Sequence, residues 1–171
     1  MGLVDLMSMA KPNEESRTKI LVKLGRNEFM DCFQCLKCTS GCTALKLLEL
    51  KPHEIMKLVR LGFVDELAAS EIIWTCATCL KCTQRCPQKA SPYHVIMALR
   101  NLAVEREAKV PEAYLKGISQ ILENGLTQTI QKVTTRKMET FDRANLKLPE
   151  IPAPKESFQT VFLKALEEKQ E

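Results

Sequence analysis

Nowhere in these 171 residues do about 18 apolar side chains run together, so the sequence carries no segment suited to spanning a membrane. There is no G-x-G-x-x-G and no P-loop, which leaves the chain without an evident nucleotide site. Aromatic side chains are scarce. Six Phe, two Tyr and one Trp must serve the core, although hydrophobic residues make up 45% of the chain. No basic stripe stands out either. The 25 Lys+Arg and 21 Asp+Glu are spread along the sequence, and a net charge of +4 describes an ordinary mixed surface rather than a nucleic-acid face. Met1-Gly2-Leu3-Val4-Asp5-Leu6-Met7 has no cationic start, carries Asp5 early and builds no apolar run of signal-peptide length. Leu6 stands where a myristoylation signal has Ser or Thr. Finally, outside two short runs the chain has no cysteine at all.

Those runs are what is there. Cys32-Phe-Gln-Cys35-Leu-Lys-Cys38-Thr-Ser-Gly-Cys42 and Cys76-Ala-Thr-Cys79-Leu-Lys-Cys82-Thr-Gln-Arg-Cys86-Pro87 both read C-x2-C-x2-C-x3-C, and they lie 44 residues apart in register. Leu36-Lys37 matches Leu80-Lys81, and Thr39 matches Thr83, so the repeat extends beyond the cysteines. Cysteines this close on one loop make poor long-range staples but good soft ligands, which argues against a disulfide scaffold and for a reducing, cytoplasmic setting. The spacing is the one that holds a pair of [4Fe–4S] clusters, the fourth cysteine of each run ligating the other run's cluster. Three cysteines at C-x2-C-x2-C wrap one side of a cube, and the fourth is carried away as the next helix begins. One cluster is therefore expected on Cys32, Cys35, Cys38 and Cys86, and the other on Cys76, Cys79, Cys82 and Cys42. Pro87 turns the chain after the last ligand. Structural zinc is the competing reading, but zinc favours paired C-x2-C knuckles with a longer gap between them.

With four thiols closing each cube, substrate chemistry at iron is not expected; two close one-electron centres make a wire. His53 and His94 are read as packing or surface residues and Trp74 as a core residue. Lys37 and Lys81, beside ligands, are read as solvated.

The remaining pattern is helical. Asn13 caps a short helix carrying Ile20, Leu21 and Leu24, ended by Gly25. Ser40-Gly41 lets the backbone turn tightly before Cys42. Ala44–Leu50 reads as a short apolar helix interrupted by Lys51-Pro52, followed by a helix over His53–Leu61 that Gly62 stops. Asp65–Ala69 adds a turn or two, and Ser70-Glu71 leads Ile72, Ile73 and Trp74 into the second run. Ser91-Pro92 is an N-cap followed by an N1 proline, opening a helix to about Ala108. Pro111 opens another, closed by Asn124-Gly125. Thr127–Asn145 gives no clear signal. Leu148–Pro154 is extended, and Glu156–Lys169 is an amphipathic helix with Phe158, Val161, Phe162, Ala165 and Leu166 on one stripe. That stripe either packs back on the chain's own core or reaches a partner subunit. The expected organisation is an N-terminal arm and helix (1–25), an all-α, helical ferredoxin-like two-cluster domain (26–125) and a C-terminal extension (126–171).

The paired motifs, and the segment Ile73-Trp74-Thr75-Cys76-Ala77-Thr78-Cys79 with Cys82 and Cys86-Pro87 most of all, resemble the C subunit of heterodisulfide reductase over about residues 26–125. The resemblance implies a non-catalytic electron-transfer subunit of a heteromeric complex. Its partners would be a flavin-containing, iron–sulfur A subunit and a B subunit that reduces the disulfide of coenzymes M and B, the chemistry of methanogenesis. Thr43 departs from the pattern, since such proteins often have proline there. The same module serves other anaerobic oxidoreductases, among them fumarate reductase and anaerobic glycerol-3-phosphate dehydrogenase, and a free-standing two-cluster carrier is the rival of another kind.

Overall fold

The computed structural model describes residues 11–25, 28–128 and 130–167. Expectations for residues 1–10, for the join at 26–27 and for the last residues of the terminal helix lie outside that range. The chain divides into two compact units, the first running to Val110 and the second starting at Pro111.

The first unit is helical. Its elements are α1 (Glu14–Leu24), a 3₁₀ turn (Glu28–Asp31), α2 (Lys37–Ser40), α3 (Pro52–Arg60), α4 (Val64–Ala69), a second 3₁₀ turn (Ile72–Thr75), α5 (Lys81–Arg85) and α6 (Pro92–Glu105). Helix α6 is the hub: α1, α3, α4, α5 and the second 3₁₀ turn all pack on it. It can serve all of them because its apolar positions are not confined to one stripe; Val95, Ile96, Ala98, Leu99, Leu102 and Ala103 are all buried. Ile20 of α1, Ile55, Met56 and Val59 of α3, Val64 and Leu67 of α4 and Ile73 complete the core. Phe29 is the one fully buried Phe in it, so the core is built almost wholly from aliphatic side chains.

Local signals explain the helix ends. Asn13 Oδ1 accepts the Ser16 N–H at 3.2 Å, and Gly25 ends α1 at φ 64°, where a side chain would be strained. Pro52 opens α3, with Glu54 reaching back to accept the Lys51 N–H at 2.6 Å. Two expectations are corrected. Ala44–Leu50 forms consecutive turns, not a helix. Burying Leu48 and Leu50 while leaving Leu47 77% exposed is incompatible with a regular helical face. Ser91 precedes α6 as expected but makes no capping bond; its φ is 40°, and its hydroxyl pairs with Thr83 Oγ1 at 2.9 Å.

The second unit contains α7 (Glu112–Asn124), a small antiparallel hairpin of β1 (Val133–Thr134) and β2 (Thr140–Phe141), and α8 (Glu156–Glu167). Gln159 Nε2 donates to the Leu122 carbonyl at 2.9 Å. No side chain of α7 is buried, and Phe158 and Val161 of α8 are exposed. The hairpin lies in the stretch that gave no sequence signal, and its two-residue strands explain why.

Besides the burial of Ile20, helix α1 is held by polar contacts that converge on one carboxylate. Asp65 accepts from Asn13 Nδ2 at 2.7 Å, from Ser16 Oγ at 2.5 Å and from the Arg106 guanidinium, which also donates to Ser16 Oγ. Burial alone would push the Asp65 carboxyl up, but the hydrogen bonds from Ser16, Arg106 and Asn13 outweigh it and hold the group below its ordinary value. A carboxyl depressed in the fold contributes stability above its unfolded pKa of about 3.9, and that contribution is lost as pH falls through the folded value. Acidification below about pH 4 should therefore loosen α1 first. At neutral pH, Asp65→Asn should cost roughly 1–2 kcal/mol, read as faster amide exchange across Glu14–Leu24 with the exchange of α6 little changed.

Candidate metal centre

Each cysteine run folds back on itself through residues in the left-handed region. Gln34 (φ 56°) and Leu36 (φ 64°) do so in the first run, and Thr78 (φ 51°) and Leu80 (φ 62°) at the same two places in the second. None is glycine, and Thr78 is β-branched, so each such turn costs on the order of 1 kcal/mol. The four strained residues fall at matched positions, where the chain must redirect its thiols. Leu36 and Leu80 then open the short helices α2 and α5, which pack against each other.

This pairing leaves two cavities, each lined by four cysteines. Cys32, Cys35 and Cys38 of the first run line one, together with Cys86 of the second. Cys76, Cys79 and Cys82 line the other, together with Cys42 of the first run. Each cavity is small, about 20 Å³, and its walls are almost entirely apolar. Among the described residues no three Cys, His, Asp or Glu side chains draw in close enough to hold one metal ion; four thiols line each cavity instead. The two sets adjoin, since the Cys38 thiol senses both Cys32 and Cys82. Cys35 and Cys79 are exposed, Cys38 is buried, and the other five are half-buried.

Hydrogen-bond donors point at the sulfurs. Gln34 Nε2 donates to Cys32 Sγ at 3.3 Å, the Ala90 N–H to Cys86 Sγ at 3.2 Å, and Thr43 Oγ1 to Cys79 Sγ at 3.1 Å. Burial pushes the Cys38 and Cys82 thiols up, whereas the Thr43 hydroxyl and the Lys81 backbone N–H hold Cys79 below the usual thiol value. Four soft sulfur donors around an apolar, water-poor space, with donors aimed at sulfur, fit a [4Fe–4S] cluster in each cavity.

Two arginines, not evident from the sequence, hold the entrances to the runs. Arg60 Nη1 donates to the Cys32 carbonyl at 2.7 Å. Arg100, only 5% exposed, donates to the carbonyls of Ile73 at 3.0 Å, Trp74 at 3.2 Å and Cys76 at 2.8 Å. Each carbonyl belongs to or precedes the first cysteine of a run. Each arginine is the ninth residue of a helix that begins with proline, Pro52–Arg60 and Pro92–Arg100, so helix and clamp repeat along with the cysteines. The clue in the sequence was that match of proline to arginine, offset by 40 residues where the runs are offset by 44.

The other singled-out residues are placed as follows. His53 lines the first cavity with Nδ1 hydrogen-bonded to Thr39 Oγ1 at 2.7 Å, while His94 is half-buried beside the Tyr93 ring. Trp74 packs against the core with the Arg100 guanidinium 5.3 Å from its ring centroid. Lys37 and Lys81 are exposed. Gly41 has an ordinary φ of −102°, so conformational freedom is not what the site requires; Arg85 lies over it, 2.5 Å from where a Cβ would stand.

Residues 31–91 match a family described as a 4Fe-4S dicluster domain. A protein of Archaeoglobus profundus described as like the C subunit of heterodisulfide reductase is 30% identical over 132 residues, covering 72% of this chain and 70% of that protein. The iron-sulfur C subunit of the CoB–CoM heterodisulfide reductase of Methanopyrus kandleri is 29% identical over 139 residues, 81% of this chain and 67% of that one. The C subunit of a ferredoxin:CoB-CoM heterodisulfide reductase of Methanosarcina acetivorans is 35% identical over 99 residues, but this chain spans only 40% of its length.

Replacing Arg100 by Met should leave buried carbonyls without donors and cost roughly 3 kcal/mol, seen as a lower denaturant midpoint. Arg100→Lys should recover part of that loss, because an ammonium keeps the charge but not the fork.

Proposed function

Because the chain belongs to the family of heterodisulfide reductase C subunits, we propose that it is the electron-relay subunit of a heteromeric complex. In this reading it carries two [4Fe–4S] clusters, one on Cys32, Cys35, Cys38 and Cys86 and the other on Cys76, Cys79, Cys82 and Cys42. The observation that carries the reading is the pair of cysteine-lined cavities, each drawing three thiols from one run and one from the other. Electrons come from a flavin-containing A subunit and pass to a catalytic B subunit that reduces the heterodisulfide of coenzymes M and B. Relatives whose names state CoB–CoM heterodisulfide reductase support that substrate. The polypeptide supplies no catalysis of its own and works in a reducing, cytoplasmic setting; no helix among the described residues is long and apolar enough to cross a membrane.

When bound, the clusters supply one-electron storage and transfer. The chain's own residues do the rest. The eight thiols bind, and Leu48, Ile55, Ile96 and Ala90 give the two cavities apolar walls. Donors from Gln34, Thr43 and Ala90 spread negative charge at sulfur. Contact between α2 and α5 keeps the two sites side by side, the condition for exchange between them. In the relay the two-cluster region is assigned to residues 26–125, and the extension 126–171 to partner binding. The exposed Phe158 and Val161 favour that role over a purely internal one.

Anaerobically prepared protein is expected to hold about eight iron and eight sulfide per chain and to show reduced-state EPR signals of two clusters. A colourless, zinc-loaded protein would end the reading. Cys86→Ala should damage the cluster of Cys32, Cys35 and Cys38; damage to the cluster of Cys76, Cys79 and Cys82 instead reverses the ligand assignment. Truncation before Pro149 should leave the cluster spectrum intact while the complex with the partner subunits is lost.

A further inference from the structure

The two runs match in cysteine spacing and in their paired left-handed turns, yet they differ at the residue that leaves each one. The second run exits through Pro87, which has neither a hydroxyl nor a backbone N–H to offer. At the equivalent place the first run has Thr43, and its hydroxyl is used. Oγ1 donates to Cys79 Sγ at 3.1 Å, crossing from one run to the other. Thr43 follows Cys42 directly, and Cys42 and Cys79 line the same cavity. The bond is therefore made within one site and is absent from the other. In the other cavity the side-chain groups at sulfur are the Gln34 amide, acting on Cys32 at 3.3 Å, and the Thr39 hydroxyl, 3.9 Å from Cys38 Sγ.

A hydrogen bond to a ligand sulfur withdraws negative charge from it. The withdrawal favours the reduced cluster, which carries one more electron, over the oxidised one, and so it raises the potential. Cys79 is one of the two exposed cysteines, so apart from the Lys81 backbone N–H its sulfur would otherwise meet water, whose donors are not fixed in direction. Resting on the ligand assignment proposed above, we propose that Thr43 is a positioning residue that raises the reduction potential of the cluster in the Cys42–Cys76–Cys79–Cys82 cavity alone. The hydroxyl at the exit of the first run thereby acts on one centre of the relay and not on the other.

The test is EPR-monitored potentiometry on the intact two-cluster protein, with Thr43→Val and Thr43→Ser. Valine keeps the branched shape and removes the donor; serine keeps the donor. Thr43 is exposed, so neither change endangers the fold. The expected result is that Thr43→Val shifts one midpoint to lower potential and leaves the other where it was, while Thr43→Ser keeps both close to the parent values. The component that moves must be the one whose signal changes in Cys79→Ser. With both clusters present, unmoved midpoints in Thr43→Val overturn the inference, as does an equal fall of both. A parent protein without two [4Fe–4S] signals, or a Cys79→Ser change confined to the component lost in Cys86→Ala, overturns the ligand assignment itself. The two failures are thus told apart.

Discussion

The first unit depends on the apposition of α2 and α5, the two short helices that open where the cysteine runs fold back. Neither run gathers four thiols by itself. Each cavity is completed only when the last cysteine of the opposite run is brought across, so the runs must face each other closely and stay there. The loops accept four left-handed, non-glycine residues to reach that arrangement, and four such residues cost on the order of 4 kcal/mol together. An isolated loop would relax. What prevents it is the hub helix α6, which packs against α5, the second 3₁₀ turn and α3 at once. From the same helix, the Arg100 guanidinium takes hold of the carbonyls that lead into the second run.

Much of this was legible because it is written in residue types with a single strong meaning. Cysteine spacing pointed to the thiols that line each cavity, Asn13 and Gly25 to the ends of α1, Pro52 and Pro92 to the starts of α3 and α6. The left-handed turns were not legible, since glycine is the usual sign of such a turn and here Gln34, Leu36, Thr78 and Leu80 take its place. The clamp arginines were hidden by a change of register. The link from Cys42 to Pro52 is four residues longer than that from Cys86 to Pro92, which shifts Arg60 and Arg100 out of the repeat that relates the cysteines. The same longer link misled the reading of Ala44–Leu50. Its leucines have helical spacing, but they are used to drop Leu48 and Leu50 into the core from a series of turns.

The second unit was hard to read for a different reason. Its hairpin strands are two residues each, too short to show alternation, and none of the residues of α7 is buried. Sequence patterns report burial, and where little is buried there is little pattern. The exception is α8, whose apolar stripe was plain, and there the structure leaves Phe158 and Val161 exposed. On the reading proposed above, that exposed stripe is where a partner subunit would dock.

A net charge of +4 gave no hint of how the charges are sorted. From Cys32 to Leu48 and from Ile72 to Val104 the sequence has no Asp or Glu, whereas Lys37, Lys46, Lys81, Arg85, Lys89 and Arg100 all lie within those stretches. Carboxylates are thus missing from both cysteine runs and from the chain that follows each, though Asp31 directly precedes Cys32. Thiolate ligands explain the sorting. A cluster held by four of them carries net negative charge in an apolar space, and that charge is costly unless cations stand nearby and acids stay away. An acid in these loops would oppose reduction of the very centre it flanks. The exposed lysines therefore have a use even while solvated: together with Arg85 and Arg100 they leave the two runs and the stretches after them free of opposing charge.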